Sequence, residues 1–340
     1  MTRIRTMEEF ASRSGLSRPT VSKYFQDPGS VRISTHARIE AALERYDYRP
    51  NLYAINQNRR LTKTIGVLVP LLSDPFFSKM ARTIERLCVD AGFRPILLSA
   101  NGEAEREVEN LRTLLSLKPA GLLLAPLGRG SDAAAVAPLA REVPCVLFDS
   151  DLDGIGGGYV GFDVDDSMST MVDYLCRGGS PPCLFEVRDA PNPNARRRRA
   201  AFVAAMDRLG HDPRVISVQG EGWDFEETGL REGGGLIASR ALPDTVLCSN
   251  DRLAIGLLAA AYQNGLRVGI GPGSAIRVAG HDDHPFARYT CPPLTTISQD
   301  YEAIAGRALH KLMEAIEDGT APGTRERTLF RGRLVMRASA

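Results

Sequence analysis

The chain carries almost no net charge, little aromatic surface and no long apolar run. Its 340 residues hold 42 Lys and Arg against 41 Asp and Glu, with five His, one Trp and 6% aromatics. No apolar stretch approaches the ~20 residues that a membrane-spanning helix needs, so no membrane association is expected. The opening "MTRIRTMEEFASRSG" lacks the apolar core of a secretory signal, and a cytoplasmic location is expected. No C-x-x-C pair occurs among Cys88, Cys145, Cys176, Cys183, Cys248 and Cys291. Most sit in apolar runs such as "PCVLF" and "TVLCSN", which marks them as reduced core thiols. The glycine clusters "GIGGG" and "GIGPG" lack the context of a dinucleotide or phosphate loop. There is also no G-x-S-x-G and no paired general acid and base, so neither an enzyme nor a cofactor is expected. "HDDH" (His281–His284) is a run of sequence neighbours, which converge poorly on one ion. No metal is expected.

What is present is an ordinary globular composition, 43% hydrophobic and 24% charged, with its basic charge gathered at the front. Residues 1–63 hold 12 Lys and Arg against 6 Asp and Glu, net +6; the remainder holds 30 against 35, net −5. A basic front on a mildly acidic body points to a nucleic-acid module joined to something else.

Within that front, Met7, Phe10 and Ala11, then Gly15 and Leu16, then Val21 and Phe25 form two short helical stripes broken at a glycine. This predicts a helix-turn-helix. Ala11 is small enough for a close crossing, Gly15 can take the positive φ of the turn, and Val21 plugs the space between helices. Ser17 is a good N-cap, and Pro19 is tolerated in a first turn. A third helix is predicted from Thr35 to Arg45, on Ala37, Ile39, Ala42 and Leu43. If the second helix enters a major groove, Arg18, Pro19, Thr20 and Lys23 face the bases, and Ser17 and Ser22 reach phosphates. Arg18 suits a bidentate guanine contact.

From Lys63 onward, strand-length apolar runs alternate with helical segments: "TIGVLVP", Phe76 to Gly92, "PILLSA", Glu105 to Leu117, "GLLLAP", Ala133 to Arg141, "PCVLFD". The alternation pauses at "DLDGIGGGYVGFD". It resumes with "CLFEV", Arg196 to Leu209, "VISVQ", Thr228 to Ser239, "TVLCS", Leu253 to Asn264 and "IRVAG". Such alternation predicts α/β architecture, doubly wound parallel sheets in two lobes with a ligand cleft at the strand ends. Asp74, Asp149, Asn250, Asp251, Asp282 and Asp283 follow predicted strands, where a cleft would gather them. Phe76, Trp223 and Phe225 could wall a sugar or purine ring. In the run Arg196 to Arg199, one arginine is expected to turn inward and the rest to stay solvated.

"FASRSGLSRPTVSKYFQDPGSVRISTHARIEAALERYDYRPN" resembles the headpiece of the LacI/GalR family of bacterial transcription regulators. The likeness continues in order through "TKTIGVLVP", "SDPFF", "KPAGLLLAPLG", "VPCVLFD", "CSNDRLAIGLLAAAYQNGL", "VAGHDD" and "PPLTTISQD". It implies a three-helix headpiece (1–49), a hinge (50–63) and a two-lobed effector and dimerisation domain (64–340) with the fold of periplasmic sugar-binding proteins. The implied N-lobe covers about 64–161 and 297–325, the C-lobe about 162–296 and 326–340, with crossings near Gly161, Ile297 and Arg325. It also implies effector contacts from Arg198 and Asp282, with Asp149, Asn250 and Gln299 at cleft positions.

Two departures stand out. The hinge of the family wedges a leucine into the minor groove, seven residues after its proline; here that position is Gln57, and Asn51, Asn56 and Gln57 are candidate groove contacts. His281 stands where the family usually has Phe or Tyr. No leucine-heptad tail follows "RLVMRAS", so a homodimer on palindromic operator DNA is expected. The function implied is a transcriptional regulator, a repressor controlled by a small sugar-like effector. Alternatives are a solute-binding protein of the same fold, or a co-repressor-dependent or activating regulator responding to a purine or a sugar phosphate.

Overall fold

A computed structural model describes residues 4, 6–26, 28–48, 62–191, 193–318 and 325–340. Contacts divide the chain into two compact units, Met1–Thr62 and Lys63–Ala340.

The first unit contains α1 (Met7–Ser14), α2 (Arg18–Gln26) and α3 (Ile33–Tyr46). Thr6 starts α1 by accepting the amide of Glu9 at 3.1 Å, and Glu8 and Glu9 complement the positive end of its dipole. Gly15 ends it at φ 67°, a conformation that would strain any side chain. Ser17 Oγ accepts the Thr20 amide at 3.3 Å and so caps α2. Arg38 of α3 clasps the turn, donating to the carbonyls of Ser14 and Gly15 at 3.2 Å each. Phe10, Ala11, Val21, Tyr24 and Ile39 are buried together, and Tyr48 stacks on Phe10 with ring centroids 4.6 Å apart. The expected roles of Ala11, Gly15 and Val21 match this packing.

In the second unit, β1 (Thr64–Val69), β2 (Arg94–Ser99), β3 (Gly121–Leu124), β4 (Cys145–Phe148) and β5 (Gly158–Phe162) alternate with α4 (Pro75–Asp90), α5 (Ala104–Ser116) and α6 (Ala133–Leu139). After α7 (Val164–Arg177), β6 (Cys183–Val187), β7 (Val215–Val218), β8 (Thr245–Cys248) and β9 (Arg277–Ala279) alternate with α8 (Ala195–Arg208), α9 (Phe225–Ala238) and α10 (Asp251–Gln263). Then come β10 (Thr296–Ser298), α11 (Tyr301–Asp318), β11 (Glu326–Phe330) and β12 (Arg333–Val335).

The first lobe is a six-stranded parallel sheet in the order β11-β5-β4-β3-β1-β2. Side chains alternate across β1: Ile65, Val67 and Val69 pack toward α4 and α11, whereas Leu68 packs with Leu111 and Leu114 of α5. The second lobe is a four-stranded parallel sheet, β7-β6-β8-β9, with α7 and α8 on one face and α9 and α10 on the other. The two helices α9 and α10 touch backbone to backbone: a Cβ on Gly256 would lie 2.1 Å from the Glu226 carbonyl oxygen, and one on Gly229 would lie 2.3 Å from that of Leu253.

The chain passes between lobes after β5, again between β10 and α11, and a third time between β11 and β12. This last passage corrects the expected crossing near Arg325. Glu326–Phe330 pair with Gly158–Phe162 and belong to the first lobe. The glycine-rich stretch read as a pause holds β5, because Gly158 and Gly161 sit in a register where Tyr159, Val160 and Phe162 supply the burial. Four cysteines are buried free thiols as expected, but Cys176 is only half-buried and Cys291 is exposed.

Candidate functional site

The ends of both sheets in the second unit face one cleft that opens to solvent. Asp74, Phe76, Asp149, Arg198, Trp223, Asn250, Asp251, Asp282 and Gln299, all singled out from sequence, line it. Phe225 does not. Its ring is buried in the second-lobe core behind Trp223, at a centroid separation of 6.2 Å, and supports the indole rather than forming the wall. Phe77, Asn194, Arg252, His284 and Tyr301 also line the cavity and were missed.

Arg198 is the inward member of its run. Its side chain is 4% exposed, against 60% for Arg196 and 51% for Arg199. It meets Asp282 through both terminal nitrogens, Nη1 to Oδ2 at 3.1 Å and Nη2 to Oδ1 at 2.5 Å, and Nη1 also donates to the Ser249 carbonyl at 2.7 Å. Gln299 Nε2 donates to the same Asp282 Oδ1 at 2.9 Å. Burial opposes ionisation of Asp282, but Arg198 and His281 beside it outweigh burial and hold its carboxyl down to about 2. His281 is pushed down to about 4 by burial and by the Arg198 cation, so its ring is neutral near pH 7. The polar residue at this position is thus part of the Asp282 network. Asp282 and Asp283 both adopt positive φ, 112° and 49°, an unfavourable backbone held by the hydrogen bonds around it.

Asp149 faces the cavity from the end of β4, at φ 60°. Asn194 Nδ2 donates to its Oδ1 at 3.1 Å, but among the described residues no cation pairs directly with it. Burial therefore raises its carboxyl to about 7, partly offset by the more distant Arg198. Asp251 is raised to about 7 by the same cause, but both its oxygens are occupied, by Thr296 Oγ1 at 2.6 Å and the His284 amide at 2.7 Å. It staples the loop after β9 to α10. Asn250 likewise caps α10 through the Leu253 amide at 2.8 Å.

Asp74 caps α4 through the Phe76 amide at 2.9 Å, and its second oxygen meets Arg252 Nη1 at 3.0 Å. Because α9 and α10 are in backbone contact, Arg252 also takes Glu226 in two bonds of 2.7 Å each. It thus ties the second lobe to the first across the cavity mouth. Inside, Arg198 Nε, Gln299 Oε1 and Trp223 Nε1 are buried without a hydrogen-bond partner among the described residues. Such groups are costly unless something supplies the missing bonds.

On the first unit, α2 exposes Ser17, Arg18, Pro19 and Lys23, with Thr20 and Ser22 half-buried. Asn51, Asn56 and Gln57 lie outside the described residues, as does most of the hinge.

Residues 6–51 match the family described as bacterial regulatory proteins, lacI family, and residues 175–340 match a periplasmic binding protein-like domain. The ribose operon repressor of Escherichia coli K12 is 30% identical over 323 residues, covering 93% of this chain and 94% of that one. The chain belongs to the LacI family of bacterial regulatory proteins. An HTH-type transcriptional repressor, PurR of Photobacterium profundum, is 27% identical over 318 residues and 92% of each chain. A structure of the lac repressor dimer bound to operator and the anti-inducer ONPF shares the fold, with TM-score 0.83 at 24% identity over 99% of both chains. As a LacI-family member, the protein is a DNA-binding repressor controlled by a small metabolite. No helix among the described residues is long and apolar enough to cross a membrane.

Proposed function

We propose that the protein acts in the cytoplasm as a homodimer without a catalytic step. Its two α2 helices enter successive major grooves of a palindromic operator, about one helical turn apart. Arg18 reads a guanine, Pro19, Thr20 and Lys23 face base edges, Ser17 and Ser22 hold phosphates, and Asn51, Asn56 and Gln57 track the adjacent minor groove.

The effector is a neutral, polyhydroxylated sugar of pentose or hexose size held in the cleft. The observation that carries this reading is the Arg198–Asp282–Gln299 network. It is already bonded, yet leaves Arg198 Nε as a donor and Gln299 Oε1 as an acceptor beside the carboxyl of Asp149 and the rings of Phe76 and Trp223. A hydroxyl both donates and accepts, so adjacent hydroxyls satisfy such a mixed set. Asp74 and Asn250 add polar groups at the rim; Asp251 holds the wall in place. The likeness to a ribose operon repressor favours a pentose. A sugar phosphate fits less well, because Arg198 and Arg252 are each committed to carboxylates.

Thermal unfolding against neutral sugars, sugar acids, sugar phosphates and purines tests the effector. A ligand at 100 times its Kd adds about 2.7 kcal/mol. Stabilisation by one neutral sugar supports the reading; stabilisation by a purine or a phosphate alone refutes it. Operator affinity measured with and without the stabilising compound then reports the coupling, about 1–3 kcal/mol in typical allosteric systems.

A further inference from the structure

An acidic side chain stands beside the start of the proposed reading helix. Glu8, in the first turn of α1, pairs with Arg18, the first residue of α2: Arg18 Nε lies 2.6 Å from Glu8 Oε1, and both side chains are 64% exposed. The fold has little need of this pair. Exposed ion pairs contribute little to stability. Thr6 already caps α1, and Glu9 supplies the same favourable charge at its N-terminus.

What the pair changes is the freedom of Arg18. A free arginine side chain samples many rotamers, and part of that freedom is lost on any contact. The ion pair lies on the Nε side of the guanidinium, and Nη1 and Nη2 have no partner among the described residues. Those two groups make an end-on bidentate contact to guanine O6 and N7. A carboxylate on this surface also repels phosphates, so it weakens binding to DNA in general while steadying one base contact.

We propose that Glu8 is a positioning residue for DNA reading, holding Arg18 end-on toward a guanine and sharpening discrimination at one base pair of each half-site. This rests on the assignment of Arg18 as a guanine reader. The test uses the full-length protein. Its preferred operator is recovered by selection from randomised duplex DNA, and affinities are measured for that operator and its single-base variants with wild type, Arg18→Ala, Glu8→Ala and Glu8→Gln. Unchanged thermal unfolding in each variant confirms an intact fold.

Arg18→Ala is expected to flatten the preference at one G·C pair. Glu8→Ala should lower discrimination at that same pair about threefold, with discrimination elsewhere retained and affinity for unrelated DNA no weaker. Glu8→Gln, which keeps an acceptor for Nε, should regain part of the loss. If Arg18→Ala flattens the pair and Glu8→Ala leaves it intact, or weakens every position alike, the role of Glu8 is overturned while the guanine assignment stands. If Arg18→Ala changes no base preference, the assignment itself falls and the proposal falls with it.

Discussion

The headpiece surface and the body cleft are built on opposite principles. On α2 the charges stand in water, with Arg18 64% exposed, over a small core of Phe10, Val21 and Ile39. In the cleft the charges are buried and bonded before any ligand arrives, with Arg198 and Asp282 only 4% and 16% exposed. Exposed charges attract a polyanion over distance and are weakened by salt; buried ones fix hydroxyl geometry and are barely screened. The same two residue types therefore serve long-range capture in one place and shape recognition in the other.

That contrast can be broken most strongly at Arg198. Arg198→Ala leaves Asp282 buried without its arginine, and urea unfolding of the body should show a loss of about 3–5 kcal/mol, with no response to effector. Operator discrimination by the headpiece should be retained. A loss below about 1 kcal/mol would mean that the pair is solvated like a surface pair.

Next in size is the pH response of Asp149. Its folded carboxyl keeps a proton up to about pH 7, whereas the unfolded group releases it near 4. The stability this contributes is full below the unfolded value and is lost as pH rises through about 7. Asp149→Asn copies the protonated form. Its melting temperature should exceed that of wild type at pH 8, by roughly 2–4 kcal/mol in stability, with the gap closing toward pH 5. A gap that does not change with pH would count against a desolvated carboxyl.

On the exposed side, Arg18→Ala should cost about 1–3 kcal/mol at one base pair, and Lys23→Ala, which removes a cation from the groove, should weaken binding and reduce the salt slope by about one. Equal salt slopes for wild type and Lys23→Ala would remove that residue from the DNA contacts. The smallest effect is expected at Arg106 of α5, whose pair with the preceding Glu103 leaves both side chains 52% exposed. Arg106→Ala should shift stability by no more than about 0.5 kcal/mol, which calibrates what exposure alone does to an ion pair here.

Much of the headpiece was legible because its reasons are local. The cap at Ser17, the positive φ at Gly15 and the plug at Val21 each follow from spacing within one short segment. The inward arginine among Arg196 to Arg199 was expected as a pattern and is Arg198. Other residues gave no such signal. Nothing in "NDRLAIG" marks Arg252 as bridging Glu226 and Asp74, because the partners are remote in sequence and meet only through the close crossing of α9 and α10. Phe225 and Trp223 are equally apolar to a periodicity reading, and only packing places one in the core and the other at the cavity.

By itself, then, the order of apolar runs, turns and charges determined a basic three-helix module followed by two α/β lobes, since hydrophobic periodicity and capping are properties of neighbouring residues. The tertiary structure alone decided which carboxylates are neutralised and which are not. Asp282 lies against Arg198, while Asp149 lies just beyond direct pairing and Asp251 is spent on Thr296 and the His284 amide. The ionisation of a buried acid depends on how much water it has lost and which charges stand within a few ångströms, and both are set by residues far away along the chain.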